Sequence, residues 1–256
     1  MSALMLDLRG HGRSSSSSSC ESSFSSPHSI SSCANDVMDT LASLKLTGGE
    51  RSPMAVVGHS LGGRCALQYL HAFTSSAVHP NDVHPPRHVW LLDTVPGNAH
   101  ESVAQVVRAI SSVPMPVESK KELVSILVRD KGLDQAIASW MTTNLRRSKA
   151  NDNAGFEYTF DLDIAQAILN DFPNQDFIRL LSECTSNTSH TKIHLVMGGK
   201  NEAWTENVVK DLQRVKSGAL DTEALQLIPL ENAGHWVHVD DLDGLMASIN
   251  PSKSST

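Results

Sequence analysis

The chain has few cysteines, no basic stripe and no long apolar run. Its four cysteines among 256 residues are scattered and form no CxxC pair, which excludes a small disulfide-stapled scaffold and favours a reducing compartment. The formal net charge of -7 argues against nucleic acid as a partner, because phosphates require basic side chains. No run approaches the ~20 apolar residues of a transmembrane segment. We therefore expect a soluble protein, intracellular or organellar rather than secreted.

Short apolar runs bounded by Gly, Asp or Pro recur along the chain. They predict buried parallel strands at 3–8, 54–57, 88–92, 193–197 and 225–229. Helical patterns fill most of the gaps, and such alternation predicts right-handed crossovers and a mostly parallel sheet with helices on both faces. The predicted fold class is therefore α/β.

Two segments interrupt this alternation. Residues 14–32 are dominated by serine, which offers too little apolar surface to offset the entropy of ordering, so we expect a disordered loop there. From residue 97 to about residue 185, three helical patterns follow one another with no strand between them. We interpret 97–186 as a helical cap inserted into a core formed by 1–96 and 187–256. The residues at helical spacing in the cap are Ile137, Trp140, Met141, Leu145, Ile164, Ala165, Ile168, Leu169 and Phe172, and we expect Trp140 or Met141 to face the core or a substrate pocket.

The strongest local signal is the G-x-S-x-G motif centred on Ser60, which lies between a predicted strand and a helical pattern that begins near Arg64. This is the sequence of a nucleophile elbow, in which the serine occupies a strained turn and side chains two positions before or after it would collide. Gly58 and Gly62 are expected to relieve that crowding. The turn exposes the Ser60 hydroxyl at a helix N-terminus, where the Leu61 N–H is a candidate oxyanion donor.

A serine nucleophile needs a base, and histidine has a suitable pKa. The chain contains twelve histidines. His235 follows the last predicted strand near the C-terminal end, which is where the order serine, acid, histidine requires the base. We therefore predict that His235 is the general base.

Two carboxylates compete for the third role. Asp93 and Glu202 each follow a predicted strand, at the carboxyl edge where ligands bind in such sheets. Either carboxylate could hold the imidazole in the required tautomer and stabilise the imidazolium. The residues alone leave both open.

A histidine-rich stretch contains His79, Asp82, His84 and His88. Its spacing matches no zinc signature, and its prolines are typical of an exposed connection, so we expect no metal site there. The chemistry of a serine nucleophile requires no cofactor.

Five blocks of the sequence resemble the α/β-hydrolase family. They are 7–14 (DLRGHGRS), 58–63 (GHSLGG), 92–96 (LDTVP), 197–199 (MGG) and 234–238 (GHWVH). They resemble the branch that contains small bacterial esterases with acyl-CoA thioesterase activity and mitochondrial relatives, and the similarity runs from about Leu4 to Ile249. The resemblance implies an α/β-hydrolase fold with a helical cap, and a serine hydrolase that cleaves small-molecule acyl esters or thioesters through an acyl-enzyme. In the bacterial members the acid maps onto Asp93, so Asp93 is preferred and Glu202 is the reserve.

The sequence departs from that family at its N-terminal end. Members carry three more strands and a His-Gly loop before the DLRGHG block, and that loop supplies half of the oxyanion hole; here six residues precede Asp7. The resemblance thus implies an N-terminally truncated core with five main parallel strands, with Leu61 as its one identifiable oxyanion donor. For this truncated chain we expect poor solubility and weak or no turnover. The alternative function is a non-catalytic or inactive α/β-hydrolase-like binding protein.

Overall fold

A computed structural model describes residues 2–15, 24–47, 51–75, 84–98, 101–148, 155–187, 190–219 and 221–249. Contacts divide the chain into two compact units. The smaller unit comprises Met1–Ser29 and Asn98–Phe172, and the sheet unit comprises Ile30–Gly97 and Pro173–Thr256. The prediction that 97–186 is a cap on the remaining core stays a prediction.

Within the described residues, six strands form two sheets. The strands are β1 (Ala55–His59), β2 (His88–Leu92), β3 (Leu145–Arg147), β4 (Phe156–Tyr158), β5 (Lys192–Gly198) and β6 (Leu225–Leu230). The sheet unit contains the order β1-β2-β5-β6, in which every neighbouring pair is parallel. Strands β3 and β4 form a separate antiparallel pair in the smaller unit.

Helices account for most of the other described residues. They are α1 (Ile30–Ser43), α2 (Leu61–Ser75), α3 (Glu101–Ser111), α4 (Lys120–Ser125), α5 (Gln135–Met141), α6 (Leu162–Asn170), α7 (Phe177–Asn187), α8 (Glu206–Gly218), α9 (Val237–Asp240) and α10 (Leu242–Ile249). Helix α4 continues into a π-helical turn, Ile126–Asp130. The predicted α/β class with a mostly parallel sheet is confirmed.

Both faces of the four-stranded sheet are covered, because successive side chains of a strand point to opposite faces. On one face the buried residues of the strands pack against α2, α7 and α8, and the set includes Leu67, Leu91, Leu181, Leu195 and Leu212. On the other face Trp90, Leu92, Val196 and Leu230 pack against Val237 of α9 and Leu245 of α10. Burying each large apolar side chain stabilises the fold by about 1.5–3 kcal/mol. This packing fixes the strand ends that carry the site.

The smaller unit has its own core, to which α3, α4, α5 and the β3–β4 pair contribute. Met141 is 2% exposed and belongs to this core, whereas Trp140 is 44% exposed. That either residue faces the core of the hydrolase or a substrate pocket stays a prediction. Side chains cap the helices: Ser119 accepts from Glu122 N–H at 3.1 Å at the start of α4. Such caps satisfy N–H groups that lack intrahelical acceptors.

The strand predicted at 3–8 is wrong. This segment has no strand structure, and Leu4, Met5 and Leu6 are exposed, Met5 by 93%. Its last residues belong to a turn instead, in which the Leu8 carbonyl accepts from His11 N–H at 2.9 Å. An apolar run forms a strand only when a partner satisfies its backbone groups. The main sheet of the described residues therefore has four strands rather than five, and the other four predicted strands lie within two residues of their observed bounds.

The expectation that 97–186 contains no strand is also wrong. Leu145, placed on a helical stripe by its spacing, pairs with Tyr158 in the antiparallel β3–β4 sheet. Both side chains are buried in the core of the smaller unit. Arg146 Nε donates to Glu157 Oε1 across the two strands at 2.9 Å, and an opposite-charge cross-strand pair of this kind supports a hairpin.

The disordered loop predicted at 14–32 is wrong at both ends of that segment. Gly12–Ser14 form a 3-10 turn, and the last residues of the segment begin α1 at Ile30. Residues 16–23 lie outside the described residues, as do His79 and Asp82 of the histidine-rich stretch.

Candidate active site

The candidate site lies at the carboxyl edge of the sheet unit. Because all four strands are parallel, the loops that follow them meet at this edge. In the parallel pairing of β1 with β2, His59 lies opposite Leu92. Ser60 and Asp93 are therefore the first residues after the ends of these two strands. The loops after β5 and β6 add 199–204 and 231–236. Ser60, Asp93 and His235 thus leave three strands of one sheet at the same edge.

Ser60 occupies a strained turn between β1 and α2. Its φ of 51° lies in the left-handed region, which costs of order 1–3 kcal/mol for a residue with a side chain. Its N–H donates to the Leu92 carbonyl at 2.9 Å, while its own carbonyl accepts from Gly63 N–H at 3.0 Å. A Cβ at Gly58 would lie 2.2 Å from the Gly62 carbonyl oxygen. The strain predicted for a nucleophile elbow, and the need for Gly58, are confirmed.

The crowding expected at Gly62 is absent. A Cβ there would meet no described atom within 4 Å, whereas a Cβ at Gly63 would lie 1.8 Å from Thr94 Oγ1. Gly63 therefore permits the close approach of α2 to the loop that begins with Asp93. The prediction for Gly62 is therefore wrong, and Gly63 has the steric role instead, because the obstructing atom belongs to Thr94, which is distant in the sequence.

Asp93 is almost fully buried, at 1% exposure, and also has a positive φ of 43°. Three donors, from the last residue of β5 and from the loop that follows it, hold its carboxylate. The Gly198 N–H donates to Oδ1 at 2.8 Å, the Trp204 indole N–H to Oδ1 at 2.6 Å, and the Asn201 amide to Oδ2 at 2.5 Å. Burial alone raises the pKa of Asp93, but these bonds and one from His235 outweigh it, so that the pKa lies below its usual value.

His235 is the fourth partner of Asp93. Its Nδ1 lies 2.7 Å from Asp93 Oδ2. An ionised carboxylate can only accept hydrogen bonds, so Nδ1 carries the proton and the neutral ring leaves Nε2 as an acceptor. This tautomer is the one that a general base requires.

Glu202, the reserve acid, is exposed, and the described residues give it no hydrogen bond to His235. Its neighbours Asn201 and Trp204 instead contribute to the site by binding Asp93. Of the two candidate carboxylates, only Asp93 is brought to the imidazole.

Arg64 fixes the loop that follows Asp93. This side chain is 2% exposed, and its Nη2 donates to the carbonyl oxygens of Val95 at 2.7 Å and Gly97 at 2.5 Å. Its Nη1 donates to Gln175 Oε1 at 3.3 Å, and the Gln175 amide donates to the Arg64 carbonyl at 3.2 Å. Burial lowers the pKa of Arg64 to about 10. The guanidinium therefore joins α2 to the loop after β2 by polar bonds inside the protein.

The positions of Arg64, Asn201, Trp204 and Gln175 in this site were not predicted from the sequence. Asn201 and Trp204 stand beside the selected Glu202, and an amide or indole N–H directly after a buried strand is a signal that could have marked them. An arginine within an amphipathic helix gives no such signal, because most arginines of that kind are exposed.

Leu61 is the first residue of the 15-residue helix α2. The first N–H groups of a helix have no intrahelical acceptor and lie at the positive end of the helix dipole. The Leu61 N–H therefore has the position that an oxyanion donor requires.

Among the described residues, no group of three His, Cys, Asp or Glu side chains is arranged to hold a metal ion. In the same residues, no helix has both the length and the apolar character to cross a membrane.

Solved structures share this fold at low sequence identity. An E-2-(acetamidomethylene)succinate hydrolase superposes with a TM-score of 0.63 at 15% identity, covering 96% of this chain and 78% of that one. A marine microorganism esterase gives 0.62 at 17% identity, with 86% and 76% covered. The thioesterase domain from the curacin biosynthetic pathway gives 0.53 at 19% identity, with 95% and 77% covered.

Sequence comparison gives two findings. No curated protein matches the chain. A model of the alpha/beta hydrolase family matches residues 2–247, nearly the whole described sequence. With the parallel sheet, the strained Ser60 turn and the Asp93–His235 pair at its carboxyl edge, this match shows that the chain belongs to the alpha/beta hydrolase family.

Proposed function

We propose that this chain is a serine hydrolase that cleaves carboxylic esters or thioesters, with Ser60 as nucleophile, His235 as general base and Asp93 as the acid partner. The observation that carries the proposal is the 2.7 Å contact between His235 Nδ1 and Asp93 Oδ2. Asp93 follows β2, and the neighbouring strand β1 ends just before Ser60, whose φ is 51°. These three groups have the chemistry and chain order of an acyl-transfer triad.

The steps follow from the protonation states. His235 Nε2 takes the hydroxyl proton as Ser60 Oγ attacks the acyl carbonyl, and the imidazolium formed is stabilised by the Asp93 carboxylate. The tetrahedral intermediate collapses when His235 returns that proton to the leaving alcohol or thiol. Water, deprotonated by the same imidazole, then attacks the acyl-enzyme, and His235 returns that proton to Ser60 Oγ as the carboxylic acid is released. Every proton is carried by His235, so the reaction needs no cofactor.

The buried environment of Asp93 supports this role. Its lowered pKa keeps the carboxylate ionised at neutral pH, and a charge without direct access to water stabilises a nearby imidazolium more strongly than an exposed charge does. The three donors from the end of β5 and the loop after it hold the carboxylate, whose Oδ2 also contacts His235. Glu202 is exposed, so water screens its charge.

Negative charge that develops on the substrate oxygen requires donors as well. The Leu61 N–H is the donor that we assign, because it lies at the N-terminus of α2 directly after the nucleophile. The structurally similar proteins include one named an esterase and one named a thioesterase domain, and both names describe acyl transfer to water. A small-molecule acyl ester or thioester is therefore the substrate class that we propose.

Labelling with an active-site-directed fluorophosphonate tests the proposal. The wild-type chain should be labelled, and Ser60→Ala should lose the label. Ser248→Ala is a matched control, since this serine also lies on a helix of the sheet unit and donates to the Gly244 carbonyl at 2.9 Å; its labelling should equal that of the wild type. Labelling that survives in Ser60→Ala would contradict the assignment. A folded wild-type chain that takes no label would favour the non-catalytic alternative.

A further inference from the structure

His59, the residue immediately before Ser60, contacts the loop that carries His235. Its Nε2 lies 2.8 Å from the His235 carbonyl oxygen. The two imidazole rings pack with their centroids 4.7 Å apart at 44°. The same ring contacts Trp236 at 5.4 Å and the edge of His238 at 5.0 Å. One side chain of β1 thus contacts two residues of the loop after β6 and one residue of α9.

The direction of the hydrogen bond follows from its acceptor. A backbone carbonyl only accepts, so His59 Nε2 carries the proton and donates it. Burial lowers the pKa of His59 to about 4. The bond to the His235 carbonyl opposes this shift, the nearby His235 and His238 rings reinforce it, and the charge of Asp93 opposes it. At neutral pH the ring is therefore an uncharged donor, and it adds no positive charge beside the imidazolium that His235 forms during the reaction.

This bond complements the one made by Asp93. The Asp93 carboxylate fixes the ring of His235 through Nδ1, whereas His59 fixes its backbone through the carbonyl oxygen. Both residues lie at the ends of neighbouring paired strands. His59 is paired with Leu92, and Asp93 is the residue after Leu92. Because His235 is held both by its ring and by its backbone, these two bonds restrict where its Nε2 can lie.

We propose that His59 is a positioning residue of the active site, which orients His235 toward Ser60 by donating a hydrogen bond to the His235 carbonyl oxygen. The proposal rests on the function proposed above. His59 does not touch the reacting atoms and exchanges no proton during turnover. A displacement of about 1 Å in a catalytic group can cost ~100-fold in rate, so the loss of this bond should appear mainly in kcat.

Two substitutions at His59 separate the bond from the packing. His59→Phe keeps an aromatic ring but removes the donor, and we expect kcat for p-nitrophenyl butyrate to fall about 10- to 100-fold with KM changed less than about twofold. His59→Gln restores an N–H at a similar reach and should recover kcat to within about threefold of wild type. His238→Phe is the matched control, because it alters a ring that packs against His59 and leaves both partners of the His59–His235 bond in place; its kcat should change less than about twofold.

Thermal unfolding of each variant distinguishes positioning from folding. If His59→Phe and His59→Gln have equal Tm values while only the first loses kcat, the bond positions His235. A His59→Phe variant with wild-type kcat would overturn the proposal, as would equal losses in both His59 variants at equal Tm.

The imidazole ¹⁵N spectrum provides a readout independent of turnover. In the wild-type chain His59 should be the neutral Nε2–H tautomer, and His235 should show an Nδ1–H proton protected by its bond to Asp93. That protected signal should broaden or vanish in His59→Phe and remain in His59→Gln. If the wild-type chain takes no fluorophosphonate label, the proposed function fails while these spectra still decide whether His59 orients His235. An Nδ1–H tautomer at His59, or an unchanged His235 signal in His59→Phe, would overturn the inference.

Discussion

The loops after β2 and β5 both leave a buried strand and both carry a carboxylate, yet they place it in different surroundings. Asp93 is 1% exposed and accepts from four partners, one of which is His235. Glu202 is exposed, and its loop contributes Asn201 and Trp204 as donors to Asp93 instead. A position directly after a strand therefore makes a carboxylate a candidate for the acid of the triad. The hydrogen-bond donors around each carboxylate decide which of the candidates binds the imidazole.

The largest effect should come from neutralising the buried carboxylate. In Asp93→Asn the amide cannot accept from Nδ1 in the same way, so His235 loses its tautomer and the stabilisation of its positive form. We expect kcat for p-nitrophenyl butyrate to fall by about 10³- to 10⁴-fold. The matched variant Glu202→Gln should retain kcat within about twofold. Circular dichroism of both proteins would establish that they are folded, and a larger loss in Glu202→Gln would reverse the assignment.

A second effect concerns the approach of α2 to the loop after β2. Gly63→Ala should lower the free energy of unfolding by about 1–3 kcal/mol, because its methyl group would meet Thr94 Oγ1 in a packed region. Gly62→Ala is the control from the adjacent position, where a Cβ meets no described atom, and alanine should be neutral or slightly stabilising within a helix. Urea titration measures both. Equal losses at the two positions would show that the Thr94 contact does not limit the packing.

A smaller effect is expected from one of the donors to Asp93. Trp204→Phe keeps most of the ring but removes the N–H that donates to Oδ1 at 2.6 Å. The remaining donors still hold the carboxylate, so we expect kcat to fall about tenfold and the fold to lose about 1–3 kcal/mol from the weakened network. Steady-state kinetics together with urea titration would detect both changes. An unaltered kcat would mean that Gly198 and Asn201 suffice to orient Asp93.

The smallest effect should appear in acid. Because the pKa of Asp93 is lower in the folded chain than the value of about 3.9 in an unfolded one, the unfolded state binds more protons and folding stability rises with pH through this window. The contribution is present above the unfolded pKa and is lost as pH falls through the folded pKa. Acid unfolding followed by circular dichroism should be less steep below pH ~4 in Asp93→Asn than in the wild-type chain. A steeper transition in Asp93→Asn would contradict this sign.

The parts of the fold that sequence could predict depend on local geometry. The strained Ser60 and the need for Gly58 follow from a short motif between strand and helix, and the four buried strands follow from apolar runs bounded by turn residues. The apolar run at 3–8 predicts a strand that does not form, and the helical spacing that ends at Leu145 predicts a helix where a strand begins. Neither pattern specifies the backbone pairing that decides whether a strand forms.

The site could be predicted less completely than the fold. Asp93 and Glu202 were equivalent as residues, and only the family resemblance favoured Asp93, whose contact with His235 is now observed. The bonds from Asn201 and Trp204 to Asp93 join residues more than 100 positions apart. Such contacts depend on the packing of several elements, so no local sequence pattern predicts them. The catalytic roles of the three residues stay predictions.

The most direct test of the triad is to trap its covalent intermediate. Rapid acid quenching of the wild-type chain with p-nitrophenyl butyrate, followed by tryptic digestion and mass spectrometry, should give a butyryl increment on the peptide 52–64, with fragment ions that place it on Ser60. His235→Ala should show no such increment on the same timescale, because acylation then lacks its base. An acyl group on any other residue, or undiminished ester turnover by Ser60→Ala, would contradict the assignment of Ser60 as the nucleophile.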